Sequence, residues 1–183
     1  MSALPEVRRK DKLMPEALAR ELLARTYCGR LATVGADGWP YVVPLLHVFS
    51  GDTLLVHNTG LRGHLRANIE RDPRVCYEAD EPGEVFPYGR FECDTSISYR
   101  SVVAFGRARI VADEAEKSAF FDALMGKYAD RSWERPKSVY PRLADATVYA
   151  IAIEKLTGKE GPLPSREARW PAVDNTKSPN AGR

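Results

Sequence analysis

Two of the three histidines in this chain flank one short loop. The stretch "VHNTGLRGHLRANIERDP", Val56 to Pro73, places His57, Asn58 and Thr59 at the end of an apolar run. Arg62, Gly63 and His64 then stand where a helical pattern begins. A strand that turns through glycines into a helix leaves the first helical amides without partners, and these favour anions. Arg62 and His64 add a cation and a ring donor in the same place. The spacing matches neither a Walker loop nor a dinucleotide fingerprint, so a plain turn built on Asn58 and Gly60 is the competing reading. The unperturbed pKa of a histidine lies near neutrality, which makes His57 the candidate to meet a substrate or supply a proton. Its alternative role is to fasten the strand end. His47 reads as a packing or surface residue. The sequence shows no serine-nucleophile motif, no HExxH and no paired-carboxylate pattern. That suits a reaction whose electrons a cofactor carries while the protein supplies a shaped cleft.

The elements that must position these residues follow from local pattern. "MPEALARELLARTYCG" reads as a helix with Pro15 and Glu16 in its first turn, Leu18 and Leu22 on one face, and Gly29 as its stop. "RLATVGADGWPYVVPLLHVF" reads as two strands around the turn pair Asp37-Gly38. Pro40 and Pro44 cannot donate to a ladder, so the second of these strands is expected at an edge, with backbone groups left free. "TLLVHN" is the next strand, and a short helix from about Leu65 to Arg71 follows it, ended by Pro73. "RVCYEAD" is a strand, residues 81–96 are expected to form an excursion loop, and "SYRSVVAFGRARIV" is a long strand. Asp113 and Glu116 resemble a capping box at the start of "EAEKSAFFDALMGKYA". "TVYAIAIEKLTG" is the last strand, and the tail from Gly161 is polar and proline-rich. Six strands in hairpins with attached helices predict a mainly β chain, an antiparallel barrel and not a βαβ sheet. The domain is expected over residues 1–160, with residues 161–183 as its tail.

Composition bounds the function. The 183 residues are 44% hydrophobic and 28% charged, the balance of a globular domain. A formal net charge of +2 is too small to imply nucleic acid. No run approaches the roughly 20 apolar residues of a membrane span. The start, "MSALPEVRRKDK", lacks the apolar core of a secretory signal. Cys28, Cys76 and Cys93 are odd in number, far apart and without metal-type spacing, which fits reduced thiols, a cytoplasmic protein and no metal.

The ordered series "GRLATVGADGWPYVVPLLHVFSGDTLLVHNTGLRGHLRANIERDPRVCYEAD", "SYRSVVAFGRARIVADEAEK" and "TGKEG" resembles the pyridoxamine 5′-phosphate oxidase-like split-barrel flavoproteins. Within them it looks most like the 5-nitroimidazole reductase, or nitroimidazole-resistance, group. The resemblance spans roughly Arg8 to Lys159. It implies a homodimer of six-stranded split barrels with FMN at the subunit interface and a small planar acceptor as substrate. It places Val42, Val43, Pro44 and Leu45 along the flavin, and His57, Asn58, Gly63 and His64 at the phosphate. Arg100 and Ser101 would reach the flavin of the partner subunit. Thr59 and Arg62 join this set from local chemistry alone. One departure stands out: where the oxidases carry a lysine after the basic residue at the helix entry, this chain has Leu65. Arg166 and Trp170 do not match a substrate-phosphate pair either, so pyridoxamine-phosphate oxidation is not expected. A flavin or haem carrier without enzymatic activity, and a deazaflavin-dependent reductase, are the other readings of the same barrel.

Overall fold

The computed structural model describes residues 4–130, 132–134 and 139–169. Seven strands lie in one antiparallel sheet: β1 (Gly29–Val34), β2 (Pro40–Leu45), β3 (His47–Ser50), β4 (Thr53–Thr59), β5 (Arg74–Pro87), β6 (Thr95–Ile110) and β7 (Ala146–Gly161). Their order is β2-β1-β5-β6-β7-β4-β3. The helices are α1 (Glu16–Arg25), α2 (His64–Arg71) and α3 (Glu114–Tyr128). The mainly β, split-barrel reading holds, with seven strands in place of six. The extra strand arises because the run after the first hairpin breaks at Leu46. β2 stays at one end of the sheet, paired only with β1, and β3 leaves to pair with β4 at the other end. The two prolines of β2 therefore sit on an edge strand, as their missing donors require.

Three local expectations need correction. Residues 81–96 are not an excursion loop. β5 and β6 continue their pairing out to Pro87 and Thr95, with a register shift between Pro82 and Val85. Proline and glycine are accommodated at that irregularity, so only residues 88–94 lie outside the two strands. Leu18 is 46% exposed; the buried face of α1 is Ala19, Leu22 and Leu23. Gly29 does not end α1, which stops at Arg25, but opens β1. A Cβ there would lie 2.4 Å from the Glu78 carbonyl oxygen and 2.5 Å from the Tyr77 ring, so the close approach of β1 to β5 needs glycine. The tight turn does use Asp37-Gly38, with Gly38 at φ 84°.

The core is divided by the sheet. Inside it, α1 and α2 pack with Leu31, Leu54, Val56, Tyr77, Val102 and Ile151. Outside it, α3 packs Phe120 and Leu124 on Val48, Val111, Val148 and Ala150. The Asp113 side chain accepts from the Glu116 amide, the N-cap bond its spacing predicts. No helix among the described residues is long and apolar enough to cross a membrane. Gly161 still belongs to β7, and Arg166 is exposed beyond it. Trp170 and the rest of the expected tail lie outside the described residues.

The corner between β2 and β3 has no ladder of its own, and side chains supply its bonds. Tyr77 Oη lies 3.3 Å from the Leu45 carbonyl oxygen. Tyr128 Oη accepts from the His47 amide at 3.2 Å and donates to the His47 carbonyl at 2.9 Å. Lys127 Nζ donates to the same carbonyl at 3.2 Å. The His47 ring is fully buried between the Leu23 carbonyl, 2.6 Å from Nε2, and Tyr77 Oη, 2.8 Å from Nδ1. A carbonyl only accepts, so Nε2 carries the proton and Nδ1 accepts from the tyrosine. Burial pushes the His47 pKa down to about 4, opposed by the Leu23 bond and reinforced by Lys127. Its expected packing role is thus specific: it ties β3 to α1 and β5.

Candidate functional site

β4 ends against β7, with His57 opposite Val148, Asn58 opposite Thr147 and Thr59 opposite Ala146. Alternation sends these side chains to opposite faces. Asn58 turns inward, where Tyr149 Oη donates to its Oδ1 at 3.2 Å. His57 turns outward under α3, its ring 5.4 Å from that of Phe120 and 5.3 Å from that of Phe121. Its Nδ1 is buried without a hydrogen-bond partner, so the neutral tautomer protonated on Nε2 is the stable one. Burial lowers its pKa, which keeps the ring neutral near pH 7.

The loop then folds back through Gly60, whose amide donates to the Asp145 carbonyl at 2.7 Å. Gly63 is the N-cap of α2, and no side chain caps the helix. The first bond of the helix is Ala67 N–H to the Gly63 carbonyl at 3.0 Å, so the amides of His64, Leu65 and Arg66 have no intrahelical acceptor. Space beside Gly63 is open. Two guanidiniums share one carboxylate here: Arg62 Nε and Arg66 Nε each donate to Glu70 at 2.8 Å. These bonds, Arg66 first, hold the Glu70 carboxyl below its usual range. Arg66 also reaches back to the Gly60 carbonyl at 3.3 Å. Leu65 is 3% exposed and belongs to the core.

α2 is anchored to the β1–β2 hairpin. Asn68 Nδ2 donates to Thr33 Oγ1 at 3.0 Å, and Arg71 donates to the Val34 carbonyl at 2.6 Å. The helix entrance consequently lies beside β2: the His64 ring is 5.7 Å from that of Tyr41. Along β2, Val42 and Pro44 face outward, Val42 with 57% exposure, while Val43 and Leu45 pack on the inner core.

The structure therefore brings together Arg62, Gly63 and His64 with β2, and places Asn58 and Thr59 at the strand end that leads into them. It does not bring His57 to this entrance. Arg100 and Ser101 are also remote. Ser101 pairs with Lys159 of β7, whereas His57 pairs with Val148. Those eleven residues of strand correspond to roughly 35 Å at about 3.3 Å per residue if extended. Arg100 lies 3.5 Å from Glu160. Sequence reasoning missed Arg66, Glu70, Tyr41 and Tyr149. The four-residue spacing of Arg66 and Glu70 was a usable signal, since such pairs meet on a helix surface. The two tyrosines carried none, because their contacts come from other strands.

A strand edge lined by β2, an uncapped helix entrance beside it and basic side chains between them are set in a split barrel. The protein-family model described as pyridoxamine 5′-phosphate oxidase matches residues 15–160 of this sequence. The chain belongs to this family. No curated protein matches it. Among solved structures, flavocytochrome Anf3 from Azotobacter vinelandii aligns with a TM-score of 0.73 at 21% identity, covering 89% of this chain and 77% of that one. A FAD-binding protein from Mesorhizobium loti aligns with a TM-score of 0.59 at 27% identity, covering 82% of this chain and 97% of that one. A candidate 5-nitroimidazole antibiotic resistance protein from Bacteroides thetaiotaomicron aligns with a TM-score of 0.67 at 19% identity, covering 81% of this chain and 86% of that one. The family match and the split-barrel architecture thus agree.

Proposed function

We propose that this family member is an FMN-dependent oxidoreductase that reduces a small planar acceptor, with nitroimidazole-like compounds as the substrate class. The observation that carries the reading is the uncapped entrance of α2 beside the exposed edge strand β2. The entrance suits a phosphate: three first-turn amides lie beside open space at Gly63, and Arg62, His64 and the half-buried Arg66 flank it in sequence, the two arginines resting on Glu70. Leu65 is committed to the core, so the charge must come from these neighbours. β2 offers the outward surface of Val42 and Pro44 to a flat ring, over Val43 and Leu45. Bound FMN supplies reversible electron transfer; the chain supplies orientation, a dry wall and fixed donors.

His57 acts in this reading as a strut between β4 and α3. Its neutral ring and aromatic surroundings make it a poor acid. Those features also count against a haem carrier using His57: ligation through Nε2 would force the proton onto the partnerless Nδ1. Arg100 and Ser101 would serve the flavin of a second subunit, which their distance from β4 requires. The Mesorhizobium loti relative, named for FAD, makes FAD the alternative ligand. The test is to denature the purified protein and identify the released chromophore by chromatography. FMN is expected; haem, riboflavin or no chromophore after reconstitution with FMN would refute the proposal.

A further inference from the structure

Lys127, in the last turn of α3, reaches the corner between β2 and β3 and meets no acid there. Its Nζ lies 3.2 Å from the His47 carbonyl oxygen, 3.2 Å from His47 Nε2 and 5.0 Å from the centre of the Tyr128 ring. No carboxylate among the described residues pairs with it. The titratable groups of the corner are His47 on β3, Tyr77 on β5 and Tyr128 on α3, with Tyr27 and Cys28 beside Tyr128. None of them is a carboxylate.

The two contacts at His47 ask different things of the amine. The carbonyl accepts, so Lys127 donates to it. The ring nitrogen does not accept, because Nε2 carries the proton that goes to the Leu23 carbonyl at 2.6 Å. An ammonium has three N–H groups and no lone pair, and would set a donor against that donor. A neutral amine can donate to the carbonyl and turn its lone pair to the imidazole N–H. Moving the imidazole proton to Nδ1 relieves nothing, since Nε2 would then face the Leu23 carbonyl lone pair to lone pair. Burial acts in the same direction and lowers the Lys127 pKa to about 8. The C-terminal end of α3 favours a cation, by roughly half a pKa unit.

We propose that Lys127 is a nucleophilic amine and a site of acylation, taking a short acyl group from a small thioester. The amine nitrogen attacks the acyl carbon. A C–N bond forms, the C–S bond breaks, and the thiolate leaves with one of the amine protons; nothing is oxidised or reduced. The product decides the class of electrophile. An amide is neutral, and its remaining N–H can keep the His47 carbonyl as acceptor. A carbamate from carbon dioxide would leave an anion, and a protonated imine from an aldehyde a cation, where burial disfavours either. Lys127 is half-buried and not enclosed. At pH 7 roughly one in ten of its amines is neutral, against about one in three thousand for an ordinary lysine. Nucleophilicity falls with basicity, which leaves a net advantage of about tenfold. Acylation would remove the positive charge at the corner where β2 gives way to β3.

The test is a competition among the lysines of the wild-type protein. The folded chain is treated near neutral pH with a limiting amount of the acetyl thioester of N-acetylcysteamine, and acetylated peptides are quantified by mass spectrometry at short times. Lys127 should react about tenfold faster than Lys10, which is exposed. Its rate should level off above about pH 8, while that of Lys10 keeps rising toward about pH 10. In concentrated urea, with unfolding checked by circular dichroism, the two should react alike, because the advantage comes from the fold. A folded-state rate at Lys127 no greater than at Lys10 would overturn the proposal. So would a Lys127 rate that climbs in step with Lys10, or an advantage that survives in urea.

Discussion

Stability should fall in mild acid because His47 is buried in its neutral form, and removing that ring should flatten the fall. The unfolded chain binds a proton at this histidine near the ordinary value of 6.5, while the native state resists until about 4. Between those values the unfolded state holds more protons, so lowering the pH favours unfolding. The native pKa is depressed, hence the full contribution is present above about pH 6.5 and is lost as the pH falls toward 4. At about 1.36 kcal/mol per pKa unit, the difference corresponds to roughly 3.4 kcal/mol over the whole window. The assay is urea denaturation of the wild type and His47→Gln at pH 6.5 and 4.5. Carboxylates contribute to both proteins and cancel in the comparison. Because the unfolded histidine is only half protonated at the upper pH, the wild type should lose about 2 kcal/mol more than the variant across this interval. The variant is expected to be less stable at pH 6.5, since it gives up ring bonds to Leu23 and Tyr77; only the difference in slope tests the argument. Equal slopes would show that His47 titrates normally in the native protein and that its ring is not held neutral by burial.

Two further outcomes follow from named contacts. Arg62→Ala with His64→Ala should weaken FMN binding by tenfold or more and leave riboflavin binding nearly unchanged, because charge-assisted bonds contribute about 1.5–3 kcal/mol each and only FMN has a phosphate. Fluorescence titration of both ligands checks this, and equal losses would remove the phosphate role from the α2 entrance. Gly29→Ala should destabilise the fold by about 1–3 kcal/mol in urea denaturation, since the new Cβ meets the Glu78 carbonyl and the Tyr77 ring. An unchanged midpoint would show that β1 can retreat from β5 at no cost.

Features set by near neighbours along the chain were legible in the sequence itself. Asp113 and Glu116 announce a helix start through their spacing, Asp37-Gly38 marks a hairpin through its tolerance of positive φ, and the prolines of β2 exclude it from the middle of a sheet. What depended on distant partners was hidden. Nothing near Leu46 says that the chain changes ends of the sheet there, because the bonds that hold the corner come from Tyr77, Lys127 and Tyr128. Glycine and proline in residues 81–96 suggested a loop, yet ladder bonds between β5 and β6 outweighed local preference. His57 looked available in sequence because α3, which covers it, begins more than fifty residues later. The Arg62, Gly63 and His64 entrance was readable as a local strand-to-helix turn; Arg66 and Glu70 became part of it only through helix geometry.

The sheet order also sets a timetable for a chain made from its N-terminus. β1 with β2, and β3 with β4, can form hairpins as soon as they emerge, but the free edge of β4 waits for Ala146–Ala152 of β7. During that interval Leu54 and Val56, later fully buried, remain beside a strand edge with open donors and acceptors. Such an edge is a template for pairing with other chains. Nearly ninety residues of synthesis thus separate β4 from the strand that protects it. A nascent chain held short of Ala146 would present this edge to its neighbours, however stable the finished barrel.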